Sequence, residues 1–330
     1  MSAATIKDVA KAANVSPSTV SRVLSDNEKI SLETKERVLN IVKELHYHPN
    51  ITARNLVTKS TRTLGIIVPN EAEDLFKNPF FIQVMTGISK YSQKNGYFIM
   101  YTFSKSEEDS LKNIKSYTRG KIVDGVILLV SRKNDKCIEY LKRINFPFSI
   151  VGRPENTKDV TWVDNDNFNA MYNAVDRIVQ KGYTDIAFIG GSKDMNMSND
   201  RLDGYKHALK THGVVADENL IIENPNFSEE CGFESMKKIL DYRIPSAVVT
   251  TDDILAFGAL KAMHEILHYT IPIIGFNNTP LASYQNPPLS SIDINSEKLG
   301  YYAAKLLIEK LENKEMTNTH FIVETNFIER

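Results

Sequence analysis

Between Asn14 and Leu24 the chain reads NVSPSTVSRVL, a run whose side chains suit hydrogen bonding better than helix interiors. Serine and threonine compete with the backbone for hydrogen bonds and favour caps and turns. Ser16 is placed to cap a helix that Pro17 opens, because the N–H that proline lacks is dispensable at the first position. Val20, Val23 and Leu24 share one face, so Ser18, Thr19, Ser21 and Arg22 share the other. Small hydroxyls permit close approach and bond phosphate oxygens, while an arginine fork bonds guanine O6 and N7 together. With the positive helix end beside them, these side chains have the chemistry of a DNA major-groove reader. A capped surface helix without a partner is the plainer alternative.

The segment HPNITARNLVTKS, residues 48–60, counts against that alternative. Asn50 is placed to cap a helix of about two turns, too short to be stable alone. It carries Leu56 and Val57 between Arg54 and Lys59. Such a segment suits one that orders on DNA and wedges an aliphatic side chain into the minor groove.

Other residue patterns point elsewhere. HEILH, residues 264–268, is a literal H-E-x-x-H, so His264 and His268 with Glu265 as base would make a zinc hydrolase. The stripe Ala256, Leu260, Met263 and Leu267 puts both histidines on the solvent side, and YTIPIIGF ends the helix before a third ligand. FIGGSKD (188–194) is neither G-x-G-x-x-G nor a P-loop, and no G-x-S-x-G occurs. The reading is therefore not an enzyme, with no cofactor and no metal.

Two kinds of element must position these residues. Before Leu64 the pattern is helical. Thr5 and Asp8 form a shortened capping box for a helix with Ile6, Val9, Ala10 and Ala13 on its apolar face, and Asn14 ends it. Ser31 caps a third helix with the stripe Val38, Ile41, Val42 and Leu45, stopped by His48 and Pro49. Three short helices with a tight first turn make a helix-turn-helix unit. From Leu64 onward nine short apolar runs, from TLGIIV to SSIDI, alternate with amphipathic segments. Continuous apolar runs are expected of strands buried on both faces, and strand–helix alternation implies parallel sheets. Nine strands over about 265 residues exceed one small doubly wound sheet, so two α/β lobes with a cleft are expected, switching near TWVDNDN (161–167).

Composition agrees. The chain of 330 residues is 42% hydrophobic and 25% charged, as globular proteins are. No run approaches the ~18 apolar residues of a membrane span. The N-terminus lacks a signal-peptide core, and two cysteines make no disulfide framework, so a reducing cytoplasm is expected. The net charge of −1 hides an asymmetry: residues 1–62 carry +4 and the remainder −5. A basic N-terminal segment on an acidic body fits a nucleic-acid contact at that end.

TIKDVAKAANVSPSTVSRVLSDNEKIS, KELHYHPNITARNL, TRTLGIIVPN, NDRLDGY, TTDDILAFGAL, IIGFNN and NPPLSSIDIN together resemble the lactose/galactose (LacI/GalR) repressor family of bacterial transcription regulators. The likeness runs from residue 5 to the terminal FIER; VGRPENTKDVTWVDNDN and GFNN most resemble its maltose-operon branch. It implies a three-helix helix-turn-helix domain at 1–48 and a hinge helix at 49–60. A periplasmic-binding-protein-like core follows, with one lobe at 61–163 plus 294–325 and the other at 164–293 plus 326–330. It implies a homodimer on a pseudo-palindromic double-stranded DNA operator. By matched position Pro17, Ser18 and Arg22 face bases. Ser16, Thr19, Ser21, Ser25, Lys29, Ser31, Tyr47 and Asn50 lie where relatives touch phosphates, and Leu56 where they insert a leucine. Val57 stands where some relatives carry lysine.

In the cleft the resemblance implies Phe80 and Phe81 from one side, and Arg201, Asp252 and Asn277 from the other, with Asp164 at the crossover. Gly152 replaces an aspartate of some relatives, leaving Arg153 as a substitute. Aromatic faces and forked polar groups suit a sugar. Trp162 is either a further stacking face or packing. The expected function is a repressor of a carbohydrate-utilisation operon, released by a maltose-type or maltodextrin-type sugar. A catabolite-control regulator answering to a partner protein is the alternative.

Overall fold

The computed structural model describes residues 4–24, 26–47, 55, 60–69, 78–312 and 318–330. The chain divides into two compact units, Met1–Thr61 and Arg62–Arg330.

The first unit contains α1 (Ile6–Ala12), α2 (Pro17–Leu24) and α3 (Leu32–Glu44). The Thr5 hydroxyl accepts from the Asp8 N–H while Asp8 accepts from the Thr5 N–H, the reciprocal cap the spacing predicted. Asn14, at φ +51, turns the chain sharply into α2. Val9, Ala10, Ala13, Val20, Val23, Val38 and Tyr47 close the small core. The third helix stops earlier than expected: it ends at Glu44, and left-handed His46 (φ +47) breaks it before His48 and Pro49, which lie outside the described residues. That turn leaves Leu45 exposed and buries Tyr47 in its place.

The second unit holds two six-stranded sheets among the described residues. One is built from β1 (Thr63–Pro69), β2 (Phe98–Ser104), β3 (Gly125–Leu128), β4 (Phe148–Val151), β5 (Thr161–Asn165) and β11 (His320–Val323), in the order β11-β5-β4-β3-β1-β2. The other comprises β6 (Ile186–Gly190), β7 (Ile221–Glu223), β8 (Ala247–Thr250), β9 (Ile273–Phe276), β10 (Ser290–Asp293) and β12 (Asn326–Ile328), in the order β12-β10-β9-β8-β6-β7. All neighbours run parallel except β10 and β12.

Helices α4 (Pro79–Lys94), α5 (Glu107–Arg119), α6 (Lys136–Arg143) and α11 (Ser296–Leu311) lie in the first lobe. The second carries α7 (Asn167–Gln180), α8 (Asn196–Thr211), α9 (Glu229–Tyr242) and α10 (Asp253–Ile266). Where α4 crosses α11, Gly87 and Gly300 let the backbones meet: a methyl on either would overlap a carbonyl of the other helix. Fully buried Ile66, Ile127, Phe188 and Val249 belong to one continuous apolar core that runs through both lobes. Each such side chain contributes about 1.5–3 kcal/mol of transfer free energy.

Beyond the nine expected runs lie β5, β11 and β12, and α6 was not anticipated. One expectation fails: β2 is not buried on both faces. It is the outer strand, with Phe98 56% and Tyr101 53% exposed. The chain passes between the sheets three times, after β5, after β10 and after β11. Buried Asn165 joins all three passages, its Nδ2 donating to the Ile294 carbonyl (3.0 Å) and the Val323 carbonyl (2.8 Å). Trp162 is packing: it is buried in the first lobe and stacks on His320 at 4.6 Å between centroids.

Candidate functional site

In the first unit, the face predicted to read DNA is solvent-facing. Ser16, Pro17, Ser18, Ser21 and Arg22 are exposed and Thr19 is half-buried, while Val20 and Val23 are inside. Lys29 and Ser31 are exposed as well. Two of these hydroxyls also serve the fold. Ser16 Oγ accepts from the Thr19 N–H at 3.1 Å, and Ser31 Oγ from that of Thr34 at 3.4 Å. Tyr47 is mainly a core residue. Ser25, Asn50 and Leu56 lie outside the described residues, as do most of 48–60.

In the second unit a cleft of about 570 Å³ opens between the lobes. Parallel sheets dictate its place, because loops at the carboxyl ends of the strands, where sheet order switches, form a natural crevice. Asp164 and Asn165 end β5, Thr251 and Asp252 follow β8, and Asn277 follows β9. All seven sequence-predicted residues line it: Phe80, Phe81, Arg153, Asp164, Arg201, Asp252 and Asn277. Phe80 and Phe81 meet edge-to-face at 5.2 Å at the start of α4, where the Asn78 side chain caps the helix.

Arg201 is 2% exposed and projects from α8. Its Nε donates to Asn167 Oδ1 at 2.9 Å, one Nη donates to the Thr251 carbonyl at 2.6 Å, and the guanidinium lies 3.6 Å from the Phe276 ring centroid. Burial lowers its pKa to about 10, against the pull of Asp252 and Asp164. Asp252 caps α10 by accepting from the Ile254 N–H at 2.8 Å, and burial pushes it up to about 7. Asp164 is raised by burial too; it accepts from the N–H groups of Arg153 and Asn165 and from Asn167 Nδ2. These contacts form one polar network along the cleft floor, in which charge is held by neutral dipoles and opposite charge.

Arg153 has partners of its own across the cleft. Its guanidinium pairs with Asp200 of the opposite lobe at 2.7 Å, and its carbonyl accepts from Asn196 Nδ2 at 3.1 Å. The neighbouring Gly152 adopts φ +107, a backbone that side chains rarely take. A glycine there follows from the turn itself.

Sequence reasoning missed Asn196, Phe227 and Phe257, which also line the cleft. Phe227 packs directly over Gly191, where any methyl would overlap its ring. That explains the second glycine of FIGGSKD, whose N–H donates to Thr251 Oγ1 at 2.9 Å and so makes no phosphate loop. The zinc alternative fails on geometry. Helix α10 ends at Ile266 and His268 turns left-handed (φ +62), so the two histidines share no helical face. His264 Nε2 lies 2.7 Å from the Asn286 carbonyl, and no metal-sized group of ligands occurs among the described residues.

A helix-turn-helix unit followed by a two-lobed α/β unit with a ligand-sized cleft defines a DNA-binding transcription regulator, and the chain belongs to the lacI family of bacterial regulatory proteins. Residues 5–50 match that family's model, and residues 175–330 match that of the periplasmic binding protein-like domain. The HTH-type transcriptional regulator MalR of Streptococcus pneumoniae is 38% identical over 318 residues, covering 94% of each chain. MalR of Staphylococcus xylosus is 32% identical over 330 residues, covering 99% of this chain and 97% of that one. Among solved structures, the transcriptional regulator CelR–cellobiose complex has a TM-score of 0.77 at 28% identity over 99% of each chain. The Lac repressor dimer bound to operator shares the fold, with a TM-score of 0.84 at 20% identity over 100% of this chain and 98% of that one. No helix among the described residues is long and apolar enough to cross a membrane.

Proposed function

We propose that this regulator represses a carbohydrate-utilisation operon and leaves its operator when a small sugar of the maltose or maltodextrin type fills the cleft. The carrying observation is the cleft itself: phenylalanine faces from both lobes surround Arg201, Asp252 and Asn277, the combination that suits the C–H and hydroxyl sides of a pyranose. The two MalR relatives and the cellobiose-bound CelR support that ligand class. Pro17, Ser18 and Arg22 read bases, and Ser16, Thr19, Ser21, Ser25, Lys29, Ser31 and Asn50 face phosphates, with Leu56 at the central step, while Tyr47 supports them from the core. The operator is a pseudo-palindrome bound by a homodimer. Exposed Phe98 and Tyr101 on the outer strand β2, with Ile266, Tyr269 and Tyr284 on the other lobe, offer the apolar surface for a second copy. Sugar shifts DNA affinity only by its differential affinity for the bound and released states.

Gel shift on an inverted-repeat operator library, titrated with maltose, maltodextrins, trehalose, sucrose and galactosides, tests both halves. Release by maltose or a maltodextrin, and not by the galactosides, is expected. Failure to prefer any inverted repeat over bulk fragments would remove the operator reading, and release by none of the sugars would remove the effector reading.

A further inference from the structure

We propose that Arg330, which lies outside the cleft, is a positioning residue for it, holding the turn from which Asn277 faces the ligand; this deepens the sugar-site reading and rests on it. Asn277 and Asn278 are consecutive non-glycine residues in left-handed backbone, at φ +100 and +48. Such conformations persist where surrounding contacts over-determine them. Here the contacts come from behind the turn. The Asn277 N–H donates to the Ile292 carbonyl at 2.8 Å, and the Asn278 N–H to Ser291 Oγ at 3.0 Å. Thr279 donates through its N–H and hydroxyl to buried Asp253 at 2.6 and 2.9 Å. Arg330 closes the frame: one Nη donates to Asn278 Oδ1 at 2.7 Å and the other to the Leu289 carbonyl at 2.7 Å, at the entry to β10.

The frame has a chemical consequence inside the cleft. Asn277 is 4% exposed, and its Nδ2 donates to Asp252 Oδ2 at 2.8 Å. With Asp252 ionised, the reverse orientation would set oxygen against oxygen, which favours the orientation seen here. The amide Oδ1 is then a buried acceptor with no hydrogen-bond partner among the described residues. A buried acceptor of that kind is matched by a hydroxyl donor, the group a sugar supplies. If the 277–278 turn relaxes, that acceptor moves, although no ligand-facing atom has been changed.

The test uses the full-length protein with R330A, N278A and the double variant, and two readouts. In the sugar-free state, hydrogen exchange at 277–279 is expected to accelerate by roughly tenfold in R330A, while β6 and β8 exchange as in the parent. With maltose and maltotriose as calorimetric probes, each single variant is expected to bind at least about fivefold more weakly, and the double variant no more weakly than either single. Unchanged exchange at 277–279 overturns the proposal. So does a lowered melting temperature with unchanged sugar affinity, the result a purely structural arginine would give. If the parent protein binds neither sugar, the ligand reading falls, and the exchange result alone decides whether Arg330 holds the turn.

Discussion

Replacing Asp252 with asparagine isolates one charge and gives a pH dependence whose sign is fixed. Asp252 is 3% exposed and its pKa is pushed up from 3.8 to about 7, mainly by burial. A carboxyl raised in the folded state stabilises the fold fully below its unfolded pKa and loses that contribution as pH rises through the folded value. The loss for the parent protein therefore falls between about pH 4 and pH 7. At about 1.36 kcal/mol per pH unit over some three units, it amounts to at most about 4 kcal/mol. Asp252→Asn is isosteric, keeps an oxygen for the Ile254 N–H and never ionises. Its clash with Asn277 Nδ2 is relieved by turning the Asn277 amide, a cost that does not vary with pH. Asp253, raised to about 6, titrates in both proteins, and because its charge also raises Asp252 the difference includes the coupling between the two. The assay is urea unfolding at a series of pH values, followed by fluorescence of the one tryptophan, buried Trp162. The variant should gain on the parent from about pH 4 to pH 7 and level off above that. A flat difference, or a gain toward acid, would refute the assignment of Asp252 as a carboxyl whose desolvation outweighs its hydrogen bonds and the charge of Arg201.

Arg201→Met should cost about 3–5 kcal/mol, because it leaves Asp164 and Asp252 buried without their cation; calorimetry of the melting transition measures this, and sugar release of operator DNA should vanish with it. Arg201→Lys keeps the charge but not the fork that reaches both Asn167 and Thr251, so it should restore stability more than sugar response. Gly152→Ala forces a side chain into φ +107 with its methyl about 3.2 Å from Ser131 Cβ, and a loss of roughly 1–3 kcal/mol in denaturant titration is expected. Arg22→Ala should weaken specific DNA binding by about 1–3 kcal/mol and relax one base position in a binding-site selection; equal loss on random DNA would remove its base-reading role.

The helix-turn-helix unit was legible because its signals are local. Thr5 with Asp8, Asn14 and Ser31 each act within four residues, and the valine stripe repeats at helical spacing. The seven cleft residues were placed through the family resemblance, and the parallel topology then brings strand ends together from distant parts of the chain. What escaped depends on contacts between distant segments. Leu45 and Tyr47 exchange places because His46 turns left-handed one residue after the helix cap. Phe98 and Tyr101 look like core until β2 proves to be the last strand. Strand β12 has three residues and pairs only because the chain returns to β10. Phe227 carries no motif, and only the glycine beneath it hints at a ring. Arg153 read as a ligand contact, whereas its partner Asp200 is 47 residues away.

The carboxamide of Asn165 gathers the three strands of chain that run from lobe to lobe into one knot, and a knot works as a pivot. A crossing pinned in this way resists sliding of one lobe past the other more than it resists a change of angle between them. Arg153 bonds Asp164 beside that pin through its N–H while its guanidinium grips Asp200 of the other lobe, so any change of angle must carry that ion pair along or break it.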